Sequence, residues 1–403
     1  MTGKKRKLML LGGLRYLLPV IEAAHKLGIH VITVDYLPDN IAHKYSDEYH
    51  NVSILDKEAV LSLAESLDID GIMSFAVDPG VVTAAYVAEK MGLPFQGSYE
   101  SVRILQDKAL FRSFLTEHGF NVPVARGYTD LQSAIKDKDL FNWPVIVKPV
   151  DSAGSKGVSR VDNPEDLGRA VEYALSESHS GCFIIEDFLE KQGHSSDTDS
   201  FTVDGKLVFC SFSDQRFDDK ADNPYTPSAY SWPSTMPDNA QLELISELQR
   251  LMSLLEMKTG IYNIETRLCQ NGKPYIMEVS PRGGGNRLAE MLRYACGTSL
   301  IDNAVRSAVG MPVDSLEMPK YSGYLAEVIL HADNTGIFDR IEVSPDFKEL
   351  VIETDLWVKP GDKVYGFSGA NNAIGTMVLR FPSQESLEIA MSDIPSWCKI
   401  ILK

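Results

Sequence analysis

Short apolar runs and amphipathic stretches alternate through the first hundred residues. An apolar run over 7–11 closes at Gly12-Gly13, and an amphipathic stretch over about 17–27 stops at Gly28. A second apolar run, 31–34, ends at Asp35. A helical pattern near 58–67, a strand over 71–75 and a helix over about 81–91, stopped by Gly92, complete the series. Strands alternating with helices of this length predict a parallel sheet with helices on its faces. Residues 1–95 therefore read as a Rossmann-like α/β domain.

After about residue 95 the pattern changes. A helix over 107–118 ends at Gly119, and a strand over 145–148 runs into a glycine- and serine-rich turn, 151–157. A short strand from 158, a helix over 164–175 and a strand over 182–186 follow. Strands then dominate, with hairpin turns at Asp204-Gly205 and Asn271-Gly272 separated by a helix over 240–255. Residues 214–237, with Pro224, Pro227, Pro233 and Pro237 and little periodicity, read as a long irregular loop, either a lid or a tolerated insertion. From about 311 to 403 the chain reads as an α+β domain. The middle, 96–310, reads as a module of two lobes, a small one at about 120–190 and a larger one at about 191–310.

Composition narrows the partners. A formal net charge of −17 over 403 residues argues against nucleic acid or an anionic membrane. Lys4 to Lys7 followed by Leu8 to Leu11 has the flavour of a signal peptide, but Gly12, Gly13 and Arg15 break the run and a regular strand–helix–strand pattern continues it. No other apolar run approaches the ~20 residues of a membrane helix. Five scattered cysteines lack zinc-site spacing and read as reduced thiols, which with the rest predicts a cytoplasmic protein. The Gly12-Gly13 turn lacks the full dinucleotide fingerprint, so a tight strand-to-helix turn is preferred to a nicotinamide site.

The chemistry starts from a hairpin. Read as a two-residue type I′ turn, Asn271-Gly272 makes Gln270 and Lys273 the closing pair. Counting back sets Glu265 directly opposite Glu278, with Cα atoms only ~4.5 Å apart in a non-hydrogen-bonded pair. Like charges so placed repel. A hard divalent cation with oxygen ligands resolves the conflict; a slipped register, a protonated carboxyl, or pairing with Arg267 or Arg282 are the alternatives. Asn263, opposite Ser280 on the same face, offers a neutral ligand. The loop Asp151 to Gly157, with Ser152, Ser155 and Lys156, can turn backbone N–H groups inward as an anion nest. Lys148, ending an apolar strand, wants an anionic partner. Arg282 and Arg287 around Gly283-Gly284-Gly285 suit close approach to a carboxylate or phosphate.

In this order and spacing, Asp107-Lys108, Val147-Lys148-Pro149, the small-residue loop, Glu186-Asp187-Phe188-Leu189, Glu265 and Glu278 to Arg282 resemble the ATP-grasp superfamily of carboxylate–amine ligases. The resemblance spans nearly the whole chain: a pre-ATP-grasp domain, an ATP-grasp module at 96–310 and a C-terminal domain. It implies ATP and Mg2+, with Mn2+ as an alternative. It implies that Lys108 and Lys148 meet the phosphates, that Ser152, Ser155, Lys156 and Gly157 close over them, and that Glu186, Phe188 and Leu189 meet adenine. Glu265, Glu278 and Ser280 are the implied metal ligands. Arg282, with Lys148 and Arg287, is implied in catalysis through an acyl phosphate. Ser280 stands where the family has Asn. Ser195 stands where an acidic ribose contact is expected, with Asp197 or Asp199 as substitutes.

The substrates implied are a small carboxylate and an amine, with a homodimer by analogy. The glycine-rich Arg282–Arg287 stretch is similar to that of amino-acid ligases. Biotin carboxylases carry a different sequence there, and a purine-pathway enzyme such as a phosphoribosylglycinamide synthetase is the second reading. A non-catalytic nucleotide sensor is the reading from another class; retention of Lys148, Glu265, Glu278 and Arg282 counts against it.

Overall fold

Strands β1 (Lys7–Leu11), β2 (His30–Val34), β3 (Glu48–His50) and β4 (Gly71–Ser74) pair in parallel in the order β3-β2-β1-β4. Their apolar runs are continuous because both faces are covered. Leu8 and Leu10 enter one core with residues of α1 (Leu18–Lys26). Met9 and Leu11 enter another with residues of α2 (Lys57–Leu67) and α3 (Asp78–Met91). In this computed structural model, which describes residues 5–152, 156–221 and 223–403, the Gly12-Gly13 turn is a packing device. Gly12 has φ +112°, and a Cβ on Gly13 would lie 2.5 Å from the His43 ring.

Helices α4 (Tyr99–Gln106) and α5 (Lys108–Glu117) lead to a small antiparallel sheet. It consists of β5 (Ala125–Tyr128), β6 (Val145–Pro149), β7 (Ser159–Val161) and β8 (Phe183–Asp187) in the order β5-β8-β6-β7. With α6 (Leu131–Lys136) and α7 (Leu167–Ser176) it closes its own core around Val145, Val147, Val171 and Phe183.

The remaining strands are β9 (Lys191–Val203), β10 (Lys206–Cys210), β11 (Asp214–Phe217), β12 (Pro227–Trp232), β13 (Gly260–Cys269), β14 (Pro274–Ser280), β15 (Tyr324–Leu330), β16 (Gly336–Val343), β17 (Val351–Leu356), β18 (Lys363–Val364), β19 (Gly375–Phe381) and β20 (Cys398–Leu402). One sheet runs β14-β13-β9-β11-β12-β15-β19-β17, with β10 paired to β9. It passes without a break through the larger lobe into the C-terminal segment, because β12 pairs antiparallel with β15. Helices α8 (Asp238–Leu254), α9 (Leu288–Cys296) and α10 (Leu300–Ala308) cover it. No helix among the described residues is long and apolar enough to cross a membrane, and all five cysteines are free.

Two local expectations are corrected. The segment 214–237 is irregular only in part: β11 and β12 join it into the middle of the large sheet, and the described residues between and after these strands are turns and coil. Its prolines sit where a ladder tolerates them, Pro227 opening β12 and Pro233 just beyond its end. Between them Tyr230 and Trp232 are fully buried.

The second correction concerns the β13–β14 turn. The Gly272 N–H bonds the Cys269 carbonyl at 2.9 Å and the Cys269 N–H bonds the Lys273 carbonyl at 3.0 Å, with Gly272 at φ +75°. The loop thus has three residues, and Cys269, not Gln270, faces Lys273 across its mouth. Leu268 opposes Pro274 accordingly, and a bulge between Glu265 and Thr266 then absorbs one residue of β14. Glu265 returns to face Glu278, as expected, and Asn263 faces Ser280.

Trp232 is the largest fully buried side chain. Trp232→Ala should cost about 3–5 kcal/mol through lost burial and the cavity left, read as a shifted denaturant midpoint with unchanged slope.

Candidate functional site

Register across β9, β13 and β14 lays polar side chains in rows on one face. Asp197, Glu265 and Glu278 are consecutive cross-strand neighbours, and Asp199, Asn263 and Ser280 form the next row. The expected pair of carboxylates is therefore a row of three. Burial raises the pKa of Glu265, with Arg267 opposing and Glu278 adding to the rise. Burial and then Glu265 push Asp197 up to about 7. Burial also pushes Asp199 up to about 7, against the Gly284 N–H that it accepts at 2.8 Å. Its other oxygen, Oδ2, is buried with no partner. Asp197 accepts from Asn263 Nδ2 at 2.7 Å and from the Tyr230 hydroxyl at 3.1 Å. Hard oxygen donors with surplus negative charge are the chemistry a divalent cation takes, and the pair set in register for one is Glu265 and Glu278.

Cations flank the row. Lys108 Nζ lies 3.8 Å from Glu278 and donates to the Ser152 carbonyl at 3.0 Å. Arg267 Nη2 lies 3.6 Å from Glu265. Lys148 finds its anion in Glu186, which Arg112 Nε also meets at 2.9 Å. Burial would raise the Glu186 pKa, but Arg112 and Lys148 together hold it down to about 2. Arg112 also donates to the Met277 carbonyl at 2.8 Å, tying the small sheet to β14. At the hinge the Phe188 N–H bonds the Pro144 carbonyl at 3.0 Å, and the Leu189 carbonyl accepts from Arg267 at 3.4 Å. In the 151–157 loop Lys156 is exposed and Gly157 is buried; Ser155 lies outside the described residues.

Arg282 is buried and fully engaged. Nε and Nη2 form a bidentate pair with Asp78 at 2.6–2.9 Å, and Nη1 donates to Asn263 Oδ1 at 3.1 Å and the Gly283 carbonyl at 3.0 Å. The Ser280 hydroxyl also donates to Asp78 at 2.7 Å and accepts from Gln106 Nε2 at 2.7 Å, which gives it a task in this cluster. Burial works against the Asp78 charge, but Arg282 holds its pKa below the ordinary value.

Asp78, Arg112 and Tyr230 are absent from the residues the sequence singled out. Asp78 could have been found, because it follows the carboxyl end of a parallel strand, where open α/β sheets place functional groups. Arg112 lies one turn after Lys108 on α5. Ser195 is buried and accepts from Arg267 Nε at 3.1 Å; Asp197 and Asp199 belong to the acidic rows.

Arg287 is not brought together with Arg282. It starts α9 at φ +57° and turns to the C-terminal strands, meeting Glu353 at 2.6 Å, Thr376 Oγ1 at 2.8 Å and Glu290 at 3.3 Å.

A sheet that sets carboxylates beside lysines under a small glycine-loop lobe defines an ATP-binding ligase of the ATP-grasp kind. Residues 141–290 match the ATP-grasp domain model and residues 21–95 the ATP-grasp N-terminal domain model; the chain belongs to the ATP-grasp superfamily. It is 24% identical over 390 residues to y4rH, an uncharacterized protein of Sinorhizobium fredii, covering 91% of this chain and 77% of the relative. It is 24% identical over 319 residues to a formate-dependent phosphoribosylglycinamide formyltransferase of Synechococcus, covering 78% and 79%. The fold matches the L-amino acid ligase from Bacillus licheniformis with a TM-score of 0.82 at 20% identity, over the full length of both chains.

Because the folded pKa of Glu186 lies below its ordinary 4.5, its contribution is complete above about 4.5 and is lost as pH falls toward about 2. Glu186→Gln should flatten that acid limb and, by leaving Arg112 and Lys148 buried without their anion, cost about 3–5 kcal/mol at neutral pH. Denaturation followed from pH 7 to 2 checks both outcomes.

Proposed function

We propose that this ATP-grasp enzyme is an ADP-forming ligase that activates a carboxylate as an acyl phosphate and transfers the acyl group to an amine, with amino-acid-type substrates. The observation that carries the reading is the in-register opposition of Glu265 and Glu278, extended by Asp197. ATP-grasp enzymes use ATP and Mg2+. Glu265 and Glu278 would hold the metal, which supplies charge neutralisation of the transferred phosphoryl group.

Lys108 and Lys148 approach from the lobe side to bind phosphate oxygens. Glu186, Phe188 and Leu189 form the adenine end, and Ser152, Lys156 and Gly157 belong to the loop that excludes water. The substrate carboxylate oxygen attacks the γ-phosphorus and ADP leaves. The amine nitrogen then attacks the acyl carbon, the carbon–oxygen bond to phosphate breaks, and inorganic phosphate leaves as the nitrogen loses a proton. Arg282 stabilises the charge that develops on the acyl phosphate. Its five N–H donors are all in use, so phosphate reaches it by exchange. Nη1, bonded to neutral acceptors, exchanges more cheaply than the bidentate pair with Asp78. Likeness of fold to the amino acid ligase supports the amino-acid preference, and likeness of sequence to the formyltransferase keeps a purine-type substrate as the second reading.

The test is phosphate and ADP release from Mg-ATP against pools of amino acids, other carboxylates and purine intermediates. Release is expected with paired amino acids, and ATP binding with no release under any pool would favour the sensor. Glu278→Gln should abolish magnesium-dependent turnover while the metal-free protein stays as stable as the parent or more so, since one repelling charge is gone. Normal turnover by that variant would remove the metal assignment.

A further inference from the structure

Among the described residues, three metal-ligating side chains converge at one point. They are Asp218 at the exit of β11, His331 at the exit of β15, and Asp333 in the turn that follows. One ligand atom from each lies within 4.8 Å of the other two. β11 and β15 flank β12, so the point sits at an end of the large sheet. None of the three residues belongs to the acidic rows.

The imidazole is held in the state a metal ligand needs. His331 Nδ1 lies 2.7 Å from the Ile329 carbonyl, which can only accept, so Nδ1 carries a proton and Nε2 is left for another partner. Metal-bound histidines are oriented in this way, by donating the other ring N–H to a carbonyl or carboxylate. The ring also stacks on the buried Phe367, with centroids 4.0 Å apart and planes 19° apart. Asp218 Oδ1 accepts from the Lys220 N–H at 2.9 Å, which leaves Oδ2 turned to His331 Nε2 at 3.4 Å. That separation distinguishes a shared proton from a shared metal. A hydrogen bond would draw nitrogen and oxygen to about 2.7–3.2 Å. Two ligands of one tetrahedral zinc, each about 2.0–2.2 Å from the ion, stand roughly 3.3–3.5 Å apart. The observed distance is the second.

We propose that Asp218, His331 and Asp333 bind a divalent transition metal, zinc by preference, with water in the fourth position. An imidazole ligand suits zinc, whereas magnesium takes oxygen ligands throughout. The site and the Glu265–Glu278 pair therefore select different ions. Bound here, the ion ties the chain leaving β11 to the turn after β15. It fixes residues 218–221, whose Ala221 packs on the core that Ile329 and Phe367 share. The inference is independent of the ligase reading.

The probe is cobalt(II), titrated into the chelator-treated full chain with excess Mg2+ present for the carboxylate pair. Four-coordinate cobalt absorbs visible light far more strongly than six-coordinate cobalt, so coordination geometry is read directly. A single equivalent should give intense bands, and added zinc should bleach them. Asp333→Asn and His331→Gln should each weaken cobalt binding about tenfold or more, at least the loss that follows from removing a partner behind a ligand. Zinc should raise the thermal midpoint of the parent and leave that of Asp333→Asn unmoved. Should His331→Gln not fold by circular dichroism, Asp333→Asn, at an exposed turn position, carries the test by itself. Absence of intense bands, or equal cobalt affinity in parent and Asp333→Asn, overturns the site. Bands lost in Glu278→Gln but kept in Asp333→Asn would put the ion at the carboxylate pair and overturn it as well.

Discussion

Three carboxylates on neighbouring strands cannot be moved apart without unpairing the sheet that carries them. Asp197, Glu265 and Glu278 are fixed by backbone ladders on both sides of β13, so their repulsion has to be met by what surrounds them. Lys108 reaches Glu278 from α5, Arg267 reaches Glu265 along the strand, and Asn263 donates to Asp197. The lobes follow from this constraint. Lys108 joins the row to the Ser152 end of the loop. Arg112 joins Glu186 in the small sheet to the Met277 carbonyl, beside the bulge that restores the register of Glu278.

The same logic holds the N-terminal sheet in place. Arg282 follows β14 directly, and a buried guanidinium needs a carboxylate more than a surface one does. Asp78 at the start of α3 supplies it, and Ser280 hydrogen-bonds the same carboxylate. The Ala76 N–H bonds the Gly283 carbonyl at 2.9 Å, and a Cβ on Gly283 would fall 2.2 Å from the Phe75 ring. The glycine run after Arg282 therefore has a packing reason independent of any ligand: it lets the end of β4 come close enough for Asp78 to reach the arginine.

Much of this was legible in the sequence because local rules and global fold agree there. Continuous apolar runs broken by Gly28 and Gly92 announce a two-sided parallel sheet, and Asp204-Gly205 closes its hairpin as a two-residue turn, with Val203 paired to Lys206. The opposition of Glu265 and Glu278 was also reached, but through two departures that cancel. The turn is one residue longer than a type I′ reading allows, and a bulge removes the offset before the carboxylates meet. Turn chemistry speaks only for the residues beside it, and a bulge is set by what the two faces must bury. Strands β11 and β12 were hidden for another reason. Four prolines masked their alternation, although a proline at a strand's first position or just past its last costs the ladder nothing.

What the sequence could not show is partnership across distance. Arg287 and Arg282 stand five positions apart and look like one anion-binding pair, yet the left-handed backbone at Asn286 and Arg287 sends the two guanidiniums to different acids. One goes to Asp78, some two hundred residues upstream, and the other to Glu353 and Thr376 near the C-terminus. Charge counting along the chain sees two arginines around three glycines and infers an anion. Charge counting in the fold sees Arg282 neutralised by Asp78 and Arg287 held by Glu290 and Glu353.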